Sequence, residues 1–417
     1  MRIVTLTVAV EKQLLRARQM RDVEAERVAA RIVGDVRRRG DSALFAWTKK
    51  LDGADLRATG LWISHREIRA AAASVSIDFL RAVKHAARNV RRVAEKQLPR
   101  PWGMEVEPGV NIGQIVRPIE TIGCYIPGGR YALVSTLVMT AVPAQVAGVQ
   151  RIVAVCPRPN TDLLAAAGIL GVTEIARVGG AQAVGALAYG TKKIPRVEKI
   201  FGPGNCYVTA AKQLVSSDCA IDLPAGPTEA VVLAMDGNAR WIAADLLAQA
   251  EHAPDAGSFF VTTSKKLAQK VQTEVTLQLK RLPSSNPAHA AIGRSGAIVL
   301  APSITVACEF VNRFAPEHLS LPHKPASLLN TVRASGTIFV GPWAAQPLGD
   351  YASGSNHVLP TGGWARRRGG LSAADFVKCI SVQSIGRRGF LRLADDVQTL
   401  ARAEGLAAHA NAVEVRR

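Results

Sequence analysis

Three stretches of the sequence carry side chains that could bind a divalent metal ion. Gln-Ala-Glu-His at 249–252 puts a glutamine and a histidine three residues apart, on one face if the preceding helix continues. Residues 349–357 place Asp350 and His357 in a glycine-broken loop, and His409 lies in a short helical tail. Oxygen and imidazole ligands suit zinc or another first-row divalent ion. On spacing alone, a hydrogen-bonded structural histidine remains the alternative at each position.

Pro-Glu-His-Leu at 316–319 pairs a carboxylate with an imidazole. Such a pair could activate water and serve as a general base for an alcohol. Proline followed by glutamate is also a common start of a helix. From the residues alone, the helix start is the favoured interpretation.

Glycine-rich turns occur three times, at 125–129, 178–180 and 201–205. Each lies at or near a predicted junction between a strand and a helix, where helix amino-terminal amides favour anions. The sequence has neither GxGxxG after a strand nor GxxxxGK[ST], and a single loop of this kind is more often a simple turn. Together the three loops are compatible with a nucleotide site.

Composition indicates a folded protein with at least two packed units, because 417 residues of which 48% are hydrophobic exceed what one core usually serves. A membrane span and a secretory leader are not expected, since no stretch of about 18 apolar residues occurs. Six scattered cysteines without CxxC predict reduced thiols and a cytoplasmic location.

The net charge of +19 raises the question of nucleic acid binding. Basic residues are nevertheless spread along the chain, and aromatic residues for base stacking are few at 5%. Charged helix faces are therefore the favoured interpretation, and a nucleic-acid partner is not expected.

Residues 1–100 show helical patterns, notably over 23–39 and 68–97. From Val110 onwards, short β-branched runs alternate with Ala-rich helical stretches, which predicts parallel βαβ architecture in two α/β units. Beyond Arg366 the pattern predicts a small helical tail. The strands are predicted at 152–156, 175–178, 199–201, 230–234, 259–262, 297–301 and 337–340.

From about Arg16 to Val415 the chain resembles the histidinol dehydrogenase family, through many motifs in the same order. Besides the segments above, they are Val-Pro-Ala-Gln-Val-Ala-Gly at 142–148, Gly-Gly-Ala-Gln-Ala at 179–183, Ile-Asp-Leu-Pro-Ala-Gly-Pro-Thr-Glu at 221–229, Gly-Asp-Tyr-Ala-Ser-Gly-Ser-Asn-His-Val-Leu-Pro-Thr at 349–361, Gly-Leu-Ser-Ala-Ala-Asp-Phe at 370–376 and Ala-His-Ala-Asn-Ala-Val at 408–413.

The expected fold is α/β, with two incomplete Rossmann-like parallel-sheet domains and small helical terminal segments that form a dimer. We expect a helical segment over 1–20 and a metal and substrate domain from 21–124 with 229–365. We further expect a second α/β domain over 125–228, on the side where NAD binds, and a helical dimerisation tail over 366–417.

The resemblance implies one Zn²⁺ per subunit, bound by Gln249, His252, Asp350 and His409. It implies contacts to L-histidinol from these four residues and from Thr228, His318, His357 and Glu404. It also implies NAD near Tyr125, Gln182 and Asn205, and a homodimer in which Glu404 and His409 reach the other subunit's site.

The implied reaction is the oxidation of L-histidinol through L-histidinaldehyde to L-histidine, with two NAD consumed in sequence. His318 would take the alcohol proton, and Glu317 would activate water for hydration of the aldehyde. A covalent route through Cys124 or Cys206 is a rival, but we interpret both thiols as packing residues.

Departures from the family pattern are few. Thr228 stands where many relatives have Ser, and Arg130-Tyr131 follows the first glycine loop. Two other hypotheses remain: a related enzyme for another small alcohol, such as a sulfonated diol, and a basic nucleic-acid-associated protein on an inactive scaffold. The second predicts broken ligand or base positions, and none is broken.

Overall fold

The computed structural model describes residues 1–18, 22–128, 132–322 and 326–417. Gly129, Arg130 and Tyr131, named above, lie outside this part of the chain. Among the described residues the strands are β1 (Arg2–Thr5), β2 (Trp102–Glu107), β3 (Val110–Pro118), β4 (Thr121–Tyr125), β5 (Arg151–Val155), β6 (Glu174–Ala176), β7 (Lys199–Phe201), β8 (Ala220–Ile221), β9 (Glu229–Leu233), β10 (Gly257–Thr262), β11 (Gly296–Leu300), β12 (His318–Leu321), β13 (Thr337–Val340) and β14 (Val377–Ile385).

Helices fill most of the remaining described chain. They are α1 (Val8–Arg16), α2 (Val23–Arg39), α3 (Asp41–Asp52), α4 (Leu56–Thr59), α5 (His65–Ser74), α6 (Ile77–Gln97), α7 (Val134–Ala147), α8 (Thr161–Leu170), α9 (Gly180–Tyr189), α10 (Cys206–Val215), α11 (Ala239–Ala250), α12 (Lys265–Leu279), α13 (Ala288–Arg294), α14 (Ile304–Phe314), α15 (Ala326–Thr331), α16 (Gln346–Tyr351), α17 (Arg387–Ala403) and α18 (Ala407–Glu414), with short 3-10 turns at Trp364–Arg366 and Ala373–Phe376.

The first parallel sheet has the strand order β1-β11-β10-β9-β12-β13. Its central strands β9 and β10 are buried along their whole length, as expected for a sheet covered by helices on both faces. Counted from β9, the strands lie in the order third, second, first, fourth, fifth, which is the Rossmann arrangement, with β1 added at one edge.

The second parallel sheet repeats this arrangement in the order β6-β5-β4-β7-β8. Strands β4 to β8 follow one another in the chain and are joined by helices α7, α8, α9 and α10. The α/β class and the two incomplete Rossmann-like units predicted from the sequence are therefore confirmed.

The helices between residues 23 and 97 pack on the second parallel sheet. Helix α2 contacts α9 and α10, α5 contacts α8, and α6 contacts α7. In α2 the residues that are buried recur at helical spacing, so one apolar face drives this packing. The predicted division into domains, with 21–124 grouped with 229–365, stays a prediction.

Three local predictions were wrong, all at strands. Residues 2–5 form β1 instead of continuing a helical segment, because they pair with β11. His318 begins strand β12, so the helix start predicted for 316–319 does not exist; β12 pairs with β9 and β13. Strand β14 interrupts the predicted helical tail and pairs with β3 in an antiparallel sheet of order β14-β3-β2.

In the part of the chain that the structure describes, no helix is long and apolar enough to cross a membrane.

Candidate active site

The candidate site lies at the amino-terminal edge of the first parallel sheet. Thr228 immediately precedes β9, Glu317 precedes β12, and His318 is the first residue of β12. Because β9 and β12 are hydrogen-bonded neighbours, with His318 in register with Ala230, their first residues meet at the same edge. Ligands of open α/β sheets usually bind at the carboxyl edge, so the element pattern alone would have pointed to the wrong edge of this sheet.

Glu317 is held in a buried network. Its Oε2 accepts hydrogen bonds from the Thr228 hydroxyl at 2.5 Å and from the backbone N–H of Glu229 at 2.9 Å. The side-chain amide of Gln249 donates to the same Thr228 hydroxyl at 2.8 Å. Burial raises the pKa of Glu317 to about 7, against the opposing influence of His318 and these hydrogen bonds.

His318 is buried beside this carboxylate. Its Nδ1 lies 3.3 Å from the carbonyl oxygen of Glu229 and 3.7 Å from Glu317 Oε2. Its Nε2 is buried without a hydrogen-bond partner among the described residues, 3.6 Å from Asp350 Oδ1. Burial acts to lower the pKa of His318, but the neighbouring carboxylates outweigh it and the net direction is upward.

Three of the four predicted metal ligands meet next to His318. Gln249 lies near the end of helix α11, and His252 lies two residues beyond the end of that helix. Asp350 lies near the end of α16. His252 Nε2 and Asp350 Oδ2 are 3.9 Å apart. Burial lowers the pKa of His252, which favours the neutral imidazole that binds metal. Gln249 Oε1 accepts a hydrogen bond from Gln346 at 2.5 Å, which orients its side chain.

Glu404 and His409 are not brought to this cluster within one chain. Both are exposed, on or beside helices α17 and α18, which pack on each other. Among the described residues of the single chain, no group of three or more His, Cys, Asp and Glu side chains could hold a metal ion.

His357 contacts the backbone of Asp350. Its Nδ1 lies 2.9 Å from the backbone carbonyl oxygen of Asp350, and its Nε2 lies 3.3 Å from the Thr136 hydroxyl of α7. Burial lowers the pKa of His357, so the neutral ring is favoured. Both ring nitrogens have protein partners, which makes His357 a link between α7 and the loop that carries Asp350.

The predicted cofactor residues lie at the carboxyl edge of the second parallel sheet. Tyr125 ends β4, and its hydroxyl accepts the backbone N–H of Gly180 at 3.0 Å. Gln182 is fully buried in the first turn of α9. The side chain of Asn205 caps α10 by accepting the N–H of Val208 at 3.1 Å. The strand order reverses between β4 and β7, since β5 and β6 lie on one side of β4 and β7 and β8 on the other; this is the position where such sheets bind nucleotides.

A cavity lies between the amino-terminal edge of the first parallel sheet and the carboxyl edge of the second. It has a volume of about 80 Å³, and its lining includes Gly202, Gly204, Thr228, Glu317 and His357. The carboxyl edge of the second sheet and the amino-terminal edge of the first thus face one another across this cavity. A cofactor on one side and a substrate on the other would meet there.

Sequence reasoning missed a buried ion pair beside this cavity. Lys212 and Asp222 are almost fully buried and hydrogen-bonded to each other. The Lys212 ammonium also donates to the carbonyl of Gly202 at 2.9 Å, and Asp222 Oδ2 accepts the N–H of Gly202 at 2.7 Å. The pair therefore holds the glycine loop after β7. A Lys and an Asp ten residues apart carry no motif that could have revealed it.

A second missed ion pair joins the amino-terminal segment to the site. Arg18 donates to both carboxylate oxygens of Glu229, and its guanidinium carbon lies 3.6 Å from the ring centroid of Phe314. Burial raises the pKa of Glu229, although Arg18 opposes the shift. Since the backbone of Glu229 contacts both Glu317 and His318, Arg18 indirectly fixes the strand that positions them.

Comparison with known proteins decides the family. The family model described as histidinol dehydrogenase matches residues 15–417. The chain belongs to the histidinol dehydrogenase family. The resemblance stated from the sequence motifs is thereby confirmed, over nearly the range that those motifs covered.

Individual histidinol dehydrogenases match along almost their whole length. The chain is 44% identical to the histidinol dehydrogenase of Aquifex aeolicus over 396 residues, which covers 94% of this chain and 93% of that protein. It is 45% identical to the histidinol dehydrogenase of Moorella thermoacetica over 417 residues, covering 97% and 98%. The crystal structure of the histidinol dehydrogenase from Elizabethkingia anophelis superposes with a TM-score of 0.94 at 38% identity, covering 100% of this chain and 98% of that one.

Proposed function

We propose that this protein oxidises L-histidinol through L-histidinaldehyde to L-histidine, the last steps of histidine biosynthesis, with two NAD reduced in sequence. Family membership supports the reaction. His318 Nε2 links this reaction to particular residues: it is buried, has no hydrogen-bond partner among the described residues, and lies 3.6 Å from Asp350 Oδ1. A buried imidazole nitrogen without a partner needs one, and a substrate hydroxyl would provide it.

The residues around Asp350 fit a zinc ion. A carboxylate, an imidazole and an amide oxygen are available from Asp350, His252 and Gln249, and the 3.9 Å between His252 Nε2 and Asp350 Oδ2 leaves room for an ion at bond lengths of about 2.0–2.2 Å. His409 of a second copy would complete a set of four. When bound, the zinc ion would hold the amino and imidazole nitrogens of the substrate, and NAD would accept a hydride in each oxidation.

His318 and Glu317 divide the proton chemistry. His318, oriented through its Nδ1 by Glu229, takes the proton of the alcohol at Nε2. Glu317, fixed by Thr228, activates the water that hydrates the aldehyde. His318 releases the first proton to solvent and then takes a proton from the hydrate as a hydride leaves to the second NAD, which gives the carboxylic acid that ionises to the carboxylate. Both groups are held by buried partners, so little reorganisation is needed between the two oxidations.

NAD would lie along the carboxyl edge of the second parallel sheet, near Tyr125, Gln182 and Asn205. The loop of Gly202 approaches this edge closely; a Cβ at Gly202 would lie 2.1 Å from the carbonyl oxygen of Tyr125. Its φ of +109° also favours glycine. A tight backbone turn of this kind lets a cofactor come close to the chain.

A homodimer with shared sites is supported by the antiparallel sheet. Directly opposite residues of neighbouring strands point to one face, and apolar side chains of this sheet are exposed on both faces. Trp102 and Met104 are 51% and 57% exposed on one face, and Val382 is 42% exposed on the other. Apolar side chains exposed together in this way are common at interfaces between proteins. A second copy would cover it and bring in Glu404 and His409.

The six cysteines are free, which supports our proposal of a cytoplasmic location.

The experiment is NADH formation with L-histidinol on metal-replete protein. We expect two NADH per histidinol, loss of activity on chelation and recovery with Zn²⁺. His318→Ala should reduce turnover by about 10²–10⁴-fold, the usual contribution of a general base. His289→Ala, which changes an exposed histidine of α13, is the matched control and should keep full activity. Activity on another amino or sulfonated alcohol, with none on histidinol, would overturn the substrate and keep the scaffold.

A further inference from the structure

An acidic and a basic residue lie together beside the proposed cofactor site. Asp52 ends α3, and its Oδ2 accepts a hydrogen bond from the side-chain amide of Gln182 at 3.2 Å. Arg158, which follows β5, reaches the backbone carbonyl of Asp52, with Nη2 at 3.5 Å. Burial raises the pKa of Asp52, and the positive charge of Arg158 opposes the shift. The two side chains therefore influence each other electrostatically.

The position of Arg158 in the fold is informative. In the order β6-β5-β4-β7-β8, β5 is the second strand of a Rossmann arrangement. Near the end of the second strand, such folds read the 2′ position of the adenosine ribose: an acidic residue accepts the hydroxyls of NAD, whereas a nearby arginine accommodates the 2′-phosphate of NADP. Here the strand end carries the arginine, and the acid comes from helix α3, far away in sequence.

Two glycine turns pack against the residue that precedes Arg158. Pro157 lies against the glycine turns after β4 and β6, where a Cβ at Gly128 or Gly179 would come within 2.9 Å or 2.6 Å of its ring. The backbone of these two turns therefore packs closely on Pro157, which places Arg158 beside them at the carboxyl edge of the second parallel sheet. The Oε1 of Gln182 is buried and has no hydrogen-bond partner among the described residues, so Asp52 is the residue that orients this amide.

We propose that Asp52 and Arg158 together decide between NAD and NADP. Asp52 accepts the ribose hydroxyls of NAD and repels a 2′-phosphate. Arg158 is the latent phosphate site, masked electrostatically by the neighbouring carboxylate. This inference rests on the proposed NAD-linked function and adds to it the residues that read the adenosine ribose.

The test is equilibrium binding of NADH and NADPH, followed by nucleotide fluorescence, to the full-length wild-type protein and variants. Asp52→Asn keeps an acceptor for Gln182 and removes the charge. We expect it to weaken NADH binding about tenfold and to strengthen NADPH binding about tenfold, each corresponding to about 1.4 kcal/mol. Adding Arg158→Ala to this variant should abolish the gain for NADPH. Asp162→Asn, which changes an exposed aspartate in the first turn of α8, is the matched control and should leave both affinities unchanged.

A second variant tests the inference independently, in case Asp52→Asn does not fold. Arg158 is exposed, so Arg158→Glu should fold, and we expect it to raise the preference for NADH over NADPH about tenfold. Equal effects on both nucleotides in either variant, or a gain for NADPH that survives Arg158→Ala, would overturn the inference while histidinol oxidation by the wild type continues. Absence of both NADH binding and histidinol oxidation in the wild type would instead reject the proposed function.

Discussion

Replacing Asp245 with Asn is expected to stabilise the protein above neutral pH and to have a smaller effect in acid. Asp245 lies in α11, partly buried beside a cavity of about 340 Å³ that Trp241 and Pro342 also line. Burial raises its pKa from 3.8 to about 6, opposed in part by the backbone N–H of Gln346 at the start of α16. The folded protein therefore binds the proton of this group more tightly than the unfolded chain does.

The magnitude follows from this shift. Below pH 3.8 the group is protonated in both states, so it carries no penalty; as pH rises through about 6 the penalty grows to its full value. At about 1.4 kcal/mol per pKa unit, the full penalty is about 3 kcal/mol, and about half of it develops between pH 5 and pH 8. Asparagine keeps an oxygen for the Gln346 N–H but loses a charge at a helix start, which costs about 0.3–1 kcal/mol. The penalty for burying the charge of Asp245 exceeds this cost, so we expect the substitution to stabilise the folded protein.

The assay is thermal unfolding of wild type and Asp245→Asn at several pH values between 5 and 8. We expect the advantage of the variant to grow with pH. Asp162→Asn is the matched control, since Asp162 is exposed in the first turn of α8. A pH-independent difference, or a variant that loses stability at pH 8, would refute the idea that burial of the Asp245 charge dominates.

Three further predictions concern the site. Glu317→Gln should slow oxidation of L-histidinaldehyde about 10²–10⁴-fold and oxidation of L-histidinol much less, measured by NADH formation from each substrate separately; equal losses would contradict the assigned role. Cys206→Ser should keep both oxidations, because water activated by Glu317 completes the aldehyde oxidation without a thiol; burial raises the pKa of the Cys124 thiol to about 12 and makes it inert, so loss of aldehyde oxidation in this variant would indicate a covalent route through Cys206. Lys212→Met should cost about 3–5 kcal/mol of unfolding free energy in denaturant titrations, because it leaves Asp222 buried without its partner; the double variant Lys212→Met with Asp222→Leu should recover much of the loss.

The parallel sheets could be predicted from the sequence because their signal is local. Strand β7 at 199–201 and helix α2 at 23–39 have the predicted bounds. Short apolar strands alternating with Ala-rich helices leave few other architectures. The antiparallel sheet could not be predicted in this way. Strand β14 depends on pairing with β3, and nothing within residues 377–385 reveals that partner.

The site could be predicted only in part, for a related reason. Motif resemblance named Thr228, Glu317 and His318, but spacing alone favoured a helix start at 316–319. The register of β9 against β12, which brings these residues together, is a tertiary property. Supporting residues such as Gln346 and Thr136 carry no motif and were missed, since their roles depend on contacts between distant elements. The predicted ligand roles of Glu404 and His409 stay predictions.

The pairing of β14 with β3 has a consequence for synthesis on the ribosome. Pro118 and Val377 are partners in the sheet although 258 residues lie between them in sequence. At about 5–20 residues per second, β3 would wait roughly 13–50 s for its partner strand to be made. Strands β4 to β8 are contiguous and can form their sheet during that interval, whereas β1 must also wait for β11. Nascent chains of this protein therefore carry two unpaired strand edges, which chaperones have the longest opportunity to bind.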